Sequence, residues 1–366
     1  MRLLFIVQRF HQGWGGAPES VRLTATRLTA HGIVSDVTDR GLLHRDVGAL
    51  SFLPVDGAPA STFDTDAMGR YDAFLIAGPW QHYRATRRIV DYIPNGRPLF
   101  YLPRGGLADI EFRRGKRLKK IVYLRLLERH FLECAKYIVH SSALELRAST
   151  RIADLADKAL VIPDHFTAPV SVNAPMELSR PAPFTIGFMA EIGVRKGLVP
   201  FLRGLLAWFA QRPATARTVD VIIAGAPRPD AKAYLEEAQA IAHLAPAGMT
   251  VRFIGAIPHE QRSSFYTSCD LFAVPSLFES FCLTALEALS AGCRLLVATT
   301  LGVLEQLSHD PAITIFRSWE VEDISAALTV AAGAADRDRT RDLAQAAIQS
   351  LNDRSDRLWL ERLTRT

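Results

Sequence analysis

Two glutamates eight residues apart, Glu279 and Glu287, are the side chains in this sequence best placed for binding chemistry. The pattern of residues 270–299 predicts a strand, a loop, a helix and a second strand, with Glu279 and Ser280 where the loop becomes the helix and Gly292 as the C-cap. The N–H groups and positive dipole end of that helix start suit a phosphate group. Eight helical residues span about 12 Å, so the two carboxylates can hold hydroxyl groups on either side of a diphosphate. For two glutamates alone, a helix-dipole partner and a solvated charge is the more common explanation.

Short apolar or β-branched runs, each followed by a turn and a segment of helical period, repeat along the chain. This alternation predicts parallel sheets covered by helices on both faces, in two doubly wound units. The predicted strands are residues 3–7, 34–37, 73–76, 99–102, 137–139, 160–162, 185–189, 219–224, 251–254, 271–274, 295–298 and 313–316. The predicted helices are residues 19–30, 119–134, 197–211, 230–243, 260–269 and 283–290.

A proline-rich stretch marks a domain boundary. Residues 164–183 hold four prolines and no clear periodicity, and the strand rhythm restarts at Thr185. We predict an N-terminal domain at residues 1–170, a C-terminal domain at 184–350, and a last helix at 351–366 that packs back towards the N-terminal domain. Because open α/β sheets bind ligands at the carboxyl ends of their strands, two facing domains would place a site in the cleft between them.

Composition excludes several protein classes. The 366 residues, 49% apolar and 22% charged, are typical of a soluble globular protein. The apolar run at residues 3–7 is shorter than the roughly 7–15 residues of a secretory signal, and no run approaches the roughly 20 residues of a membrane span. The four cysteines form no CxxC pair, so we expect a reduced, cytoplasmic protein with buried thiols.

A basic cluster lies within residues 112–130, although the net charge of +5 is modest. Its cations are Arg113, Arg114, Lys116, Arg117, Lys119, Lys120, Arg125 and Arg129, opposed by Glu128. Such a cluster favours phospholipid headgroups, a phosphate-bearing acceptor or nucleic acid, and a solvated helix face is the alternative. Since no nucleic-acid reader motif accompanies it, we expect no nucleic-acid partner and predict peripheral contact with the anionic inner face of a membrane through Arg113 to Arg129.

Longer motifs turn the glutamate pair into a family resemblance. The stretches Pro275-Ser276-Leu277-Phe278-Glu279 and Glu287-Ala288-Leu289-Ser290-Ala291-Gly292 resemble the Pro-Ser-x-x-Glu…Glu-Ala-x-x-Ala-Gly pattern of family 4 of the retaining glycosyltransferases. Further pieces follow in the expected order along nearly the whole chain: Gly15-Gly16, Gly78-Pro79-Trp80-Gln81, Pro103-Arg104-Gly105-Gly106, Arg195-Lys196-Gly197 and Leu301-Gly302-Val303-Leu304-Glu305. The resemblance implies the GT-B fold, with two Rossmann-like domains facing each other across a cleft. It also implies transfer of a sugar from a nucleotide-sugar donor to a hydroxyl of a saccharide or lipid-linked acceptor, in cell-surface polysaccharide or glycolipid biosynthesis.

The same resemblance implies roles for the C-terminal residues. Lys196 would bind the donor diphosphate, with Arg195 beside it. Glu287 would hold the ribose hydroxyls, and Glu279 would contact the donor sugar. Backbone groups next to Glu279 would complete the donor site at Ser280, Phe281, Cys282 and Leu283.

In the N-terminal domain, the Gly15-Gly16 loop would lie against the phosphates, because glycine allows close backbone approach, although a plain turn would look the same. Arg104 stands where many relatives carry a histidine close to the reacting sugar. A guanidinium there can bind donor or acceptor oxygens, but it cannot act as a base. His82 and His165 could also face the cleft, although a surface or satisfied histidine is more common.

Two departures from the family pattern bear on donor binding. The Gly-Arg usual before the lysine is Ala190-Glu191 here, and a carboxylate near a diphosphate is repulsive. Either Arg195 supplies the missing charge or Glu191 points away. The Glu-Gly-Phe-Gly usual after the first glutamate is Glu279-Ser280-Phe281-Cys282, whose added side chains would narrow the sugar pocket.

The family mechanism needs neither a protein nucleophile nor a cofactor. In front-face attack the departing diphosphate helps to deprotonate the acceptor, and the protein supplies positioning and cations. No Asp-x-Asp pair follows a strand end, so no metal is expected.

Two other functions fit the same fold. A nucleotide-sugar epimerase would turn over its donor alone, and a degenerate nucleotide-binding scaffold would bind without turnover. A dehydrogenase is disfavoured, because neither half has a G-x-G-x-x-G turn with an acid roughly 20 positions on.

Overall fold

The computed structural model divides the chain into two compact units. The first comprises Met1–Thr167 and Gln349–Thr366, and the second comprises Ala168–Ile348. The described residues are 1–7, 16–39, 42–47, 61–62, 65–79, 83–113, 117–150, 156–168, 183–213, 216–307, 310–333 and 337–365.

The first unit is built on an eight-stranded sheet with the order β4-β3-β2-β1-β5-β6-β7-β8. Its strands are β1 Arg2–Val7, β2 Val34–Asp39, β3 Leu42–His44, β4 Ser61–Thr62, β5 Ala73–Ala77, β6 Leu99–Leu102, β7 Tyr137–His140 and β8 Ala159–Val161. Six strands run parallel, and β3 and β4 extend the edge in antiparallel pairing. Leu3, Leu4 and Phe5 are all fully buried, as expected of a parallel strand covered on both faces.

Helices of the first unit connect these strands. They are α1 Gly16–Thr29, α2 Tyr83–Asp91, α3 Asp109–Arg113, α4 Arg117–Tyr123, α5 Arg129–Cys134 and α6 Ala143–Thr150. The turns Thr65–Arg70 and Ala156–Lys158 are 3₁₀, and Leu124–Glu128 is a π-helical segment between α4 and α5. The basic segment is therefore helical throughout residues 119–134, as predicted, with a π turn in its middle. The π turn places both Leu124 and Glu128 in the interior, where Glu128 accepts a 2.6 Å hydrogen bond from the Tyr101 hydroxyl.

The second unit has a six-stranded, fully parallel sheet with the order β11-β10-β9-β12-β13-β14. Its strands are β9 Phe184–Met189, β10 Val219–Ala224, β11 Met249–Gly255, β12 Leu271–Val274, β13 Arg294–Ala298 and β14 Ile313–Phe316. The helices that follow along the chain are α7 Leu198–Ala210, α8 Lys232–Ala242, α9 Arg262–Thr267, α10 Leu283–Ser290, α11 Leu304–Leu307, α12 Val321–Ala331 and α13 Arg337–Thr364, with 3₁₀ turns at Val194–Lys196 and His259–Gln261.

The closing part of α13 belongs to the core of the first unit. Trp359 and Leu363 pack there with Leu3 and Phe5, and the Trp359 and Phe100 rings lie 5.7 Å apart. The Asn352 side chain accepts from the Phe166 amide at 2.9 Å and donates to its carbonyl at 2.7 Å. The last helix is therefore held by both apolar packing and polar contacts.

Candidate functional site

Glu279 lies between two cations from the turn that follows β9. Lys196 Nζ donates to Glu279 Oε1 at 2.5 Å. Arg195 Nη1 lies 3.5 Å from Glu279 Oε2 and donates to the carbonyl oxygen of Phe278 at 3.0 Å. The Glu279 side chain is 13% exposed, so these charges interact with little screening by water. The structure thus brings Glu279 together with two adjacent residues that lie more than 80 positions earlier in the sequence.

These neighbours set the protonation state of Glu279. Burial by itself would raise its pKa, but the positive charges of Lys196 and Arg195 outweigh burial and lower the pKa to about 2. Glu279 is therefore a carboxylate at every ordinary pH. It can accept hydrogen bonds from hydroxyl groups, but it has no proton to give as a general acid.

Backbone hydrogen bonds fix the loop that carries Glu279. The Glu279 amide donates to the Thr300 carbonyl at 2.9 Å, and the Gly302 amide donates to the Glu279 carbonyl at 3.0 Å. The Val303 amide donates to the Phe281 carbonyl at 3.0 Å. The loop before α10 is thus tied to the chain that follows β13, which reduces the reorganisation needed on binding.

Gly197 allows the turn with Lys196 to pack against the end of β12. It has a φ of 67°, and a Cβ there would overlap the carbonyl oxygen of Pro275. The Trp319 indole donates to that oxygen at 2.8 Å, and the Leu277 amide donates to the Arg195 carbonyl at 2.8 Å. Only glycine fits this close approach without strain.

The start of α10 carries an unusual backbone conformation. Cys282, the N-cap residue, has a φ of 98° and makes no side-chain capping hydrogen bond. Its Sγ lies 3.3 Å from Thr284 Oγ1. Burial, with a contribution from the Glu279 charge, raises the pKa of the Cys282 thiol to about 11, so the group stays protonated. Cys282 replaces a glycine of the family pattern, and its backbone keeps a conformation that favours glycine.

Glu287 lies on the buried side of α10, with its side chain 7% exposed. Its Oε2 accepts a 2.5 Å hydrogen bond from the hydroxyl of Tyr266, and its Oε1 lies 3.9 Å from Arg262 Nη1. A solvated charge, the alternative for this glutamate, does not describe it. Tyr266 and Arg262 come from α9, and the sequence carries no motif that singles them out, because their relation to Glu287 depends on how α9 packs against α10.

The departure at Glu191 does not add a buried negative charge to the site. Its side chain is 58% exposed and lies 3.6 Å from Arg228 Nη1. Arg195, on the other hand, lies against Glu279 as described above. An outward-facing Glu191 agrees with this exposure, whereas a contribution of Arg195 to binding the diphosphate stays a prediction.

Arg104, the predicted site residue of the first unit, is held inside the loop after β6. It has a φ of 51° and forms a buried ion pair with Asp164. The adjacent Gly105 amide donates to the buried carboxylate of Glu145. Burial lowers the pKa of Arg104 to about 10, with the Glu145 charge acting in the opposite direction. The guanidinium thus stays charged and has a structural partner.

Two of the remaining candidates of the N-terminal domain, Gly16 and His165, lie within the described residues. Gly16 begins α1, and a Cβ there would meet no described residue within 4 Å, so none of the described neighbours requires glycine. His165 is fully buried, with Nε2 3.1 Å from Asp356 Oδ1 and Nδ1 3.2 Å from Thr24 Oγ1. It is a core histidine of the first unit, and its contact with Asp356 is a close approach rather than a well-formed hydrogen bond, since His165 Nε2 and Asp356 Oδ1 have no hydrogen-bond partner among the described residues. Gly15 and His82 lie outside the described residues.

The described residues contain no group of three or more His, Cys, Asp or Glu side chains placed to hold a metal ion. Within the same residues, no helix is long and apolar enough to cross a membrane.

Comparison with known proteins identifies the fold and points to a family. Residues 178–349 match the model of the family described as glycosyl transferases group 1. D-inositol 3-phosphate glycosyltransferase of Corynebacterium jeikeium is 31% identical over 118 residues, which are 32% of this chain and 28% of that protein. The chain spans less than a third of the length of the curated relatives it matches.

Solved structures align over the whole chain. The Anabaena protein HepE in complex with UDP and glucose aligns over 100% of both chains with a TM-score of 0.67 and 17% identity. Sucrose-phosphate synthase from Thermosynechococcus elongatus aligns over 100% of both chains with a TM-score of 0.68 and 14% identity. This likeness confirms the predicted fold class, two parallel-sheet α/β domains of the GT-B type.

Proposed function

We propose that this chain is a glycosyltransferase that moves a sugar from a nucleotide-sugar donor to a hydroxyl of a saccharide or lipid-linked acceptor. The observation that carries the proposal is the arrangement of Lys196, Glu279 and Glu287 around the start of α10. This arrangement lies within residues 178–349, which match the glycosyl transferases group 1 model. The match of this segment supports the proposal that these three residues form the binding site for the nucleotide-sugar donor.

In the proposed donor site, the cations bind the diphosphate and the carboxylates bind hydroxyl groups. Lys196 and Arg195, now paired with Glu279, would be shared with the arriving diphosphate. Glu279 would then accept from the donor sugar, a role that suits a carboxylate with a depressed pKa. Glu287 would accept from the ribose, and the backbone from Ser280 to Leu283 would lie along the phosphates.

We further propose retention of anomeric configuration by front-face attack. A carboxylate paired with two cations is a weak nucleophile, so Glu279 is poorly suited to form a covalent sugar intermediate. The cations would instead stabilise charge on the leaving diphosphate, without a metal or cofactor. Proton NMR of the first product formed should show the donor's anomeric configuration retained, and an inverted product would refute this part. Full activity in EDTA is expected.

The role of Arg104 stays a prediction. Its ion pair with Asp164 holds the loop after β6, and a direct contact with donor or acceptor oxygens would come in addition. Arg104→Lys keeps the charge but loses the forked geometry. The disturbed ion pair lowers the melting temperature in either case; a catalytic contact predicts, in addition, a fall in kcat of the folded protein measured well below that temperature, whereas a structural role alone leaves kcat unchanged.

Thermal stabilisation by nucleotides tests the donor site. We expect UDP or GDP, or one of their sugar conjugates, to raise the melting temperature of the wild-type protein. UDP is the first choice, because HepE was solved with UDP. Lys196→Ala and Glu287→Ala should lose the effect, while Lys232→Ala, which changes an exposed lysine paired with Glu236, should keep it. A protein that none of these compounds stabilises would contradict the proposal.

Donor turnover separates the transferase from the other two functions. A transferase consumes donor productively only with an acceptor. An epimerase converts the donor sugar with none added, and a scaffold binds nucleotide without converting it. Mass spectrometry of donor and acceptor, incubated separately and together, distinguishes the three.

Peripheral contact with the cytoplasmic face of a membrane completes the proposal. Leu118, Val122 and Leu126 are 79%, 53% and 70% exposed, at intervals of four residues along α4 and the π turn. Exposed cations lie among them at Arg117, Lys119 and Arg125. Among the described residues, no carboxylate lies within ion-pair distance of those three cations, whereas Arg113 and Arg129 pair with Asp109 and Glu133. An apolar stripe between cations suits a bilayer surface with anionic headgroups.

Vesicle flotation tests the membrane contact. We expect recovery with vesicles that contain anionic phospholipid and little with phosphatidylcholine alone. Leu118→Ser combined with Leu126→Ser should weaken binding by about tenfold or more, since each loses a side chain's burial. Leu244→Ser, at an exposed leucine of the second unit, is the matched control. Recovery that ignores both lipid charge and the leucine changes would refute the contact.

A further inference from the structure

Tyr266 is a buried tyrosine whose only polar group meets the buried end of Glu287. Its ring is fully buried and packs edge-on against Phe272, with the ring centroids 5.1 Å apart. Its hydroxyl lies 2.5 Å from Glu287 Oε2 and 3.7 Å from the sulfur of Met189. A hydroxyl has one proton, and the carboxylate is the closer and stronger acceptor.

The hydroxyl stays a donor across the working pH range. Burial raises the pKa of Tyr266 well above its ordinary value, and the neighbouring Glu287 charge adds to the effect. The direction of the hydrogen bond is therefore set: Tyr266 gives its proton to Oε2, and Glu287 accepts.

This contact uses one carboxylate oxygen of Glu287 and leaves the other directed elsewhere. Oε1 has Arg262 Nη1 at 3.9 Å, which is beyond hydrogen-bonding distance. Arg262 Nε is itself buried without a hydrogen-bond partner among the described residues. Buried carboxylates are rare unless they are paired. Among the described residues, Glu287 has only the neutral Tyr266 hydroxyl and the more distant Arg262 guanidinium, which are few partners for a carboxylate with a purely structural role. Glu287 is therefore held at Oε2, while Oε1 can still accept a hydrogen bond from a ligand.

We propose that Tyr266 is a positioning residue for donor binding: by holding Oε2, it orients Oε1 of Glu287 towards the two ribose hydroxyls of the nucleotide. This inference rests on the proposed function, in which Glu287 binds ribose. Without the Tyr266 proton, Glu287 samples other rotamers and must be ordered when the nucleotide binds, so affinity falls. Tyr266 itself touches no substrate.

The test pairs a variant with a ligand that lacks the groups concerned. Tyr266→Phe keeps the buried ring and removes the hydroxyl. Binding of UDP, GDP and their 2′,3′-dideoxy forms is measured by calorimetry for the wild type, for Tyr266→Phe and for a control. The control is Tyr234→Phe, because the Tyr234 hydroxyl accepts from the Val199 amide at 3.0 Å in the same unit.

For the nucleotide that the wild type prefers, we expect Tyr266→Phe to bind about tenfold more weakly, which is near the upper end of the cost of ordering one side chain on binding. The dideoxy form should bind the wild type and Tyr266→Phe equally, because the hydroxyls that Glu287 would hold are gone. In steady-state assays the donor KM should rise about tenfold with kcat within about twofold, the pattern of lost uniform binding. Tyr234→Phe should leave both affinities unchanged.

The outcomes separate this inference from the proposed function. If the wild type binds none of the four nucleotides, the proposed function fails and this inference falls with it. If the wild type prefers the ribonucleotide and Tyr266→Phe does so to the same degree, the donor site stands and the positioning role is refuted. An equal loss for ribo and dideoxy forms would mean that Tyr266 only supports the fold, and would also refute it.

Discussion

Removing the positive partner of Glu279 should destabilise the protein by an amount that depends on pH. Lys196→Met keeps the length and apolar stem of the side chain and deletes its charge. In the native protein the pKa of Glu279 falls from its ordinary value of 4.5 to about 2. At about 1.4 kcal/mol per pKa unit, that shift corresponds to about 3 kcal/mol of stability at pH 7. Glu279 is mostly buried, so little of this is lost to solvent screening.

The pH dependence follows from the sign of that shift. A carboxylate whose pKa is depressed on folding contributes its full stability above the unfolded-state pKa of about 4.5. It loses that contribution as pH falls towards the folded-state value of about 2. In Lys196→Met, burial acts against the Arg195 charge and the Ser276 hydrogen bond alone, so we expect the pKa of Glu279 to rise back towards its ordinary value. The stability gap between wild type and variant should therefore shrink from about 3 kcal/mol at pH 7 to about 1 kcal/mol at pH 3.

Urea denaturation at pH 7, 5 and 3 measures the gap, since urea leaves charge interactions unscreened. Arg228→Met is the matched control, because it breaks the exposed contact with Glu191 and should cost less than about 1 kcal/mol at any pH. Adding Glu279→Gln to Lys196→Met should change stability little at any of these pH values, because a carboxylate whose pKa has returned towards its ordinary value contributes little to folding. A gap that is the same at pH 7 and pH 3, or no larger than the Arg228→Met effect, would refute this account of Glu279.

Three further substitutions test the packing by thermal unfolding. Gly197→Ala should cost about 3 kcal/mol or more of folding stability, because a Cβ there overlaps a backbone carbonyl and φ is positive. Gly16→Ala, whose Cβ would meet no described residue within 4 Å, should be neutral or stabilising. Equal effects of the two substitutions would contradict this account of Gly197. Cys282→Gly should stabilise by about 1 kcal/mol by relieving the φ of 98°, and a clear loss of stability would argue against backbone strain there. Trp359→Ala should cost about 3–5 kcal/mol of folding stability through the cavity it leaves. Leu244→Ala, at an exposed leucine, should change stability by no more than about 0.5 kcal/mol. A loss for Trp359→Ala as small as that control would mean that the last helix contributes little to the stability of the first unit.

Much of the architecture is legible in the sequence, because parallel strands buried on both faces leave continuous apolar runs. Every predicted strand is present, and each boundary is shifted by two residues or fewer. The antiparallel strands β3 and β4 cannot be predicted in this way, since strands of three and two residues are too short to show a hydrophobic period. Several helices were also not predicted: α2, α3, α6, α11, α12 and the first half of α13. In the basic segment, the predicted helix is correct, but the apolar period gives no sign of the π turn at Leu124–Glu128.

The candidate site divides in the same way. The glutamates, Lys196 and Arg195 can be found from motifs, whereas the N-cap at Cys282 is seen only in the structure. The pairing of Lys196 with Glu279 cannot be found so, because it joins residues 83 positions apart. The contact of Tyr266 with Glu287 depends on how α9 packs on α10, and the exposed side of Glu191 depends on which way one loop side chain points.

By itself, the sequence determines the alternation of strands and helices and the segments that bear binding residues. These are local matters of apolar period, turn chemistry and residue type. Tertiary structure alone decides which charges meet, which are buried and which face water. It makes Glu279 a permanently ionised carboxylate, Glu287 a buried one and His165 a core residue. The physical reason is that charge energies depend on distance and on exclusion of water, and both are set only when distant segments pack together.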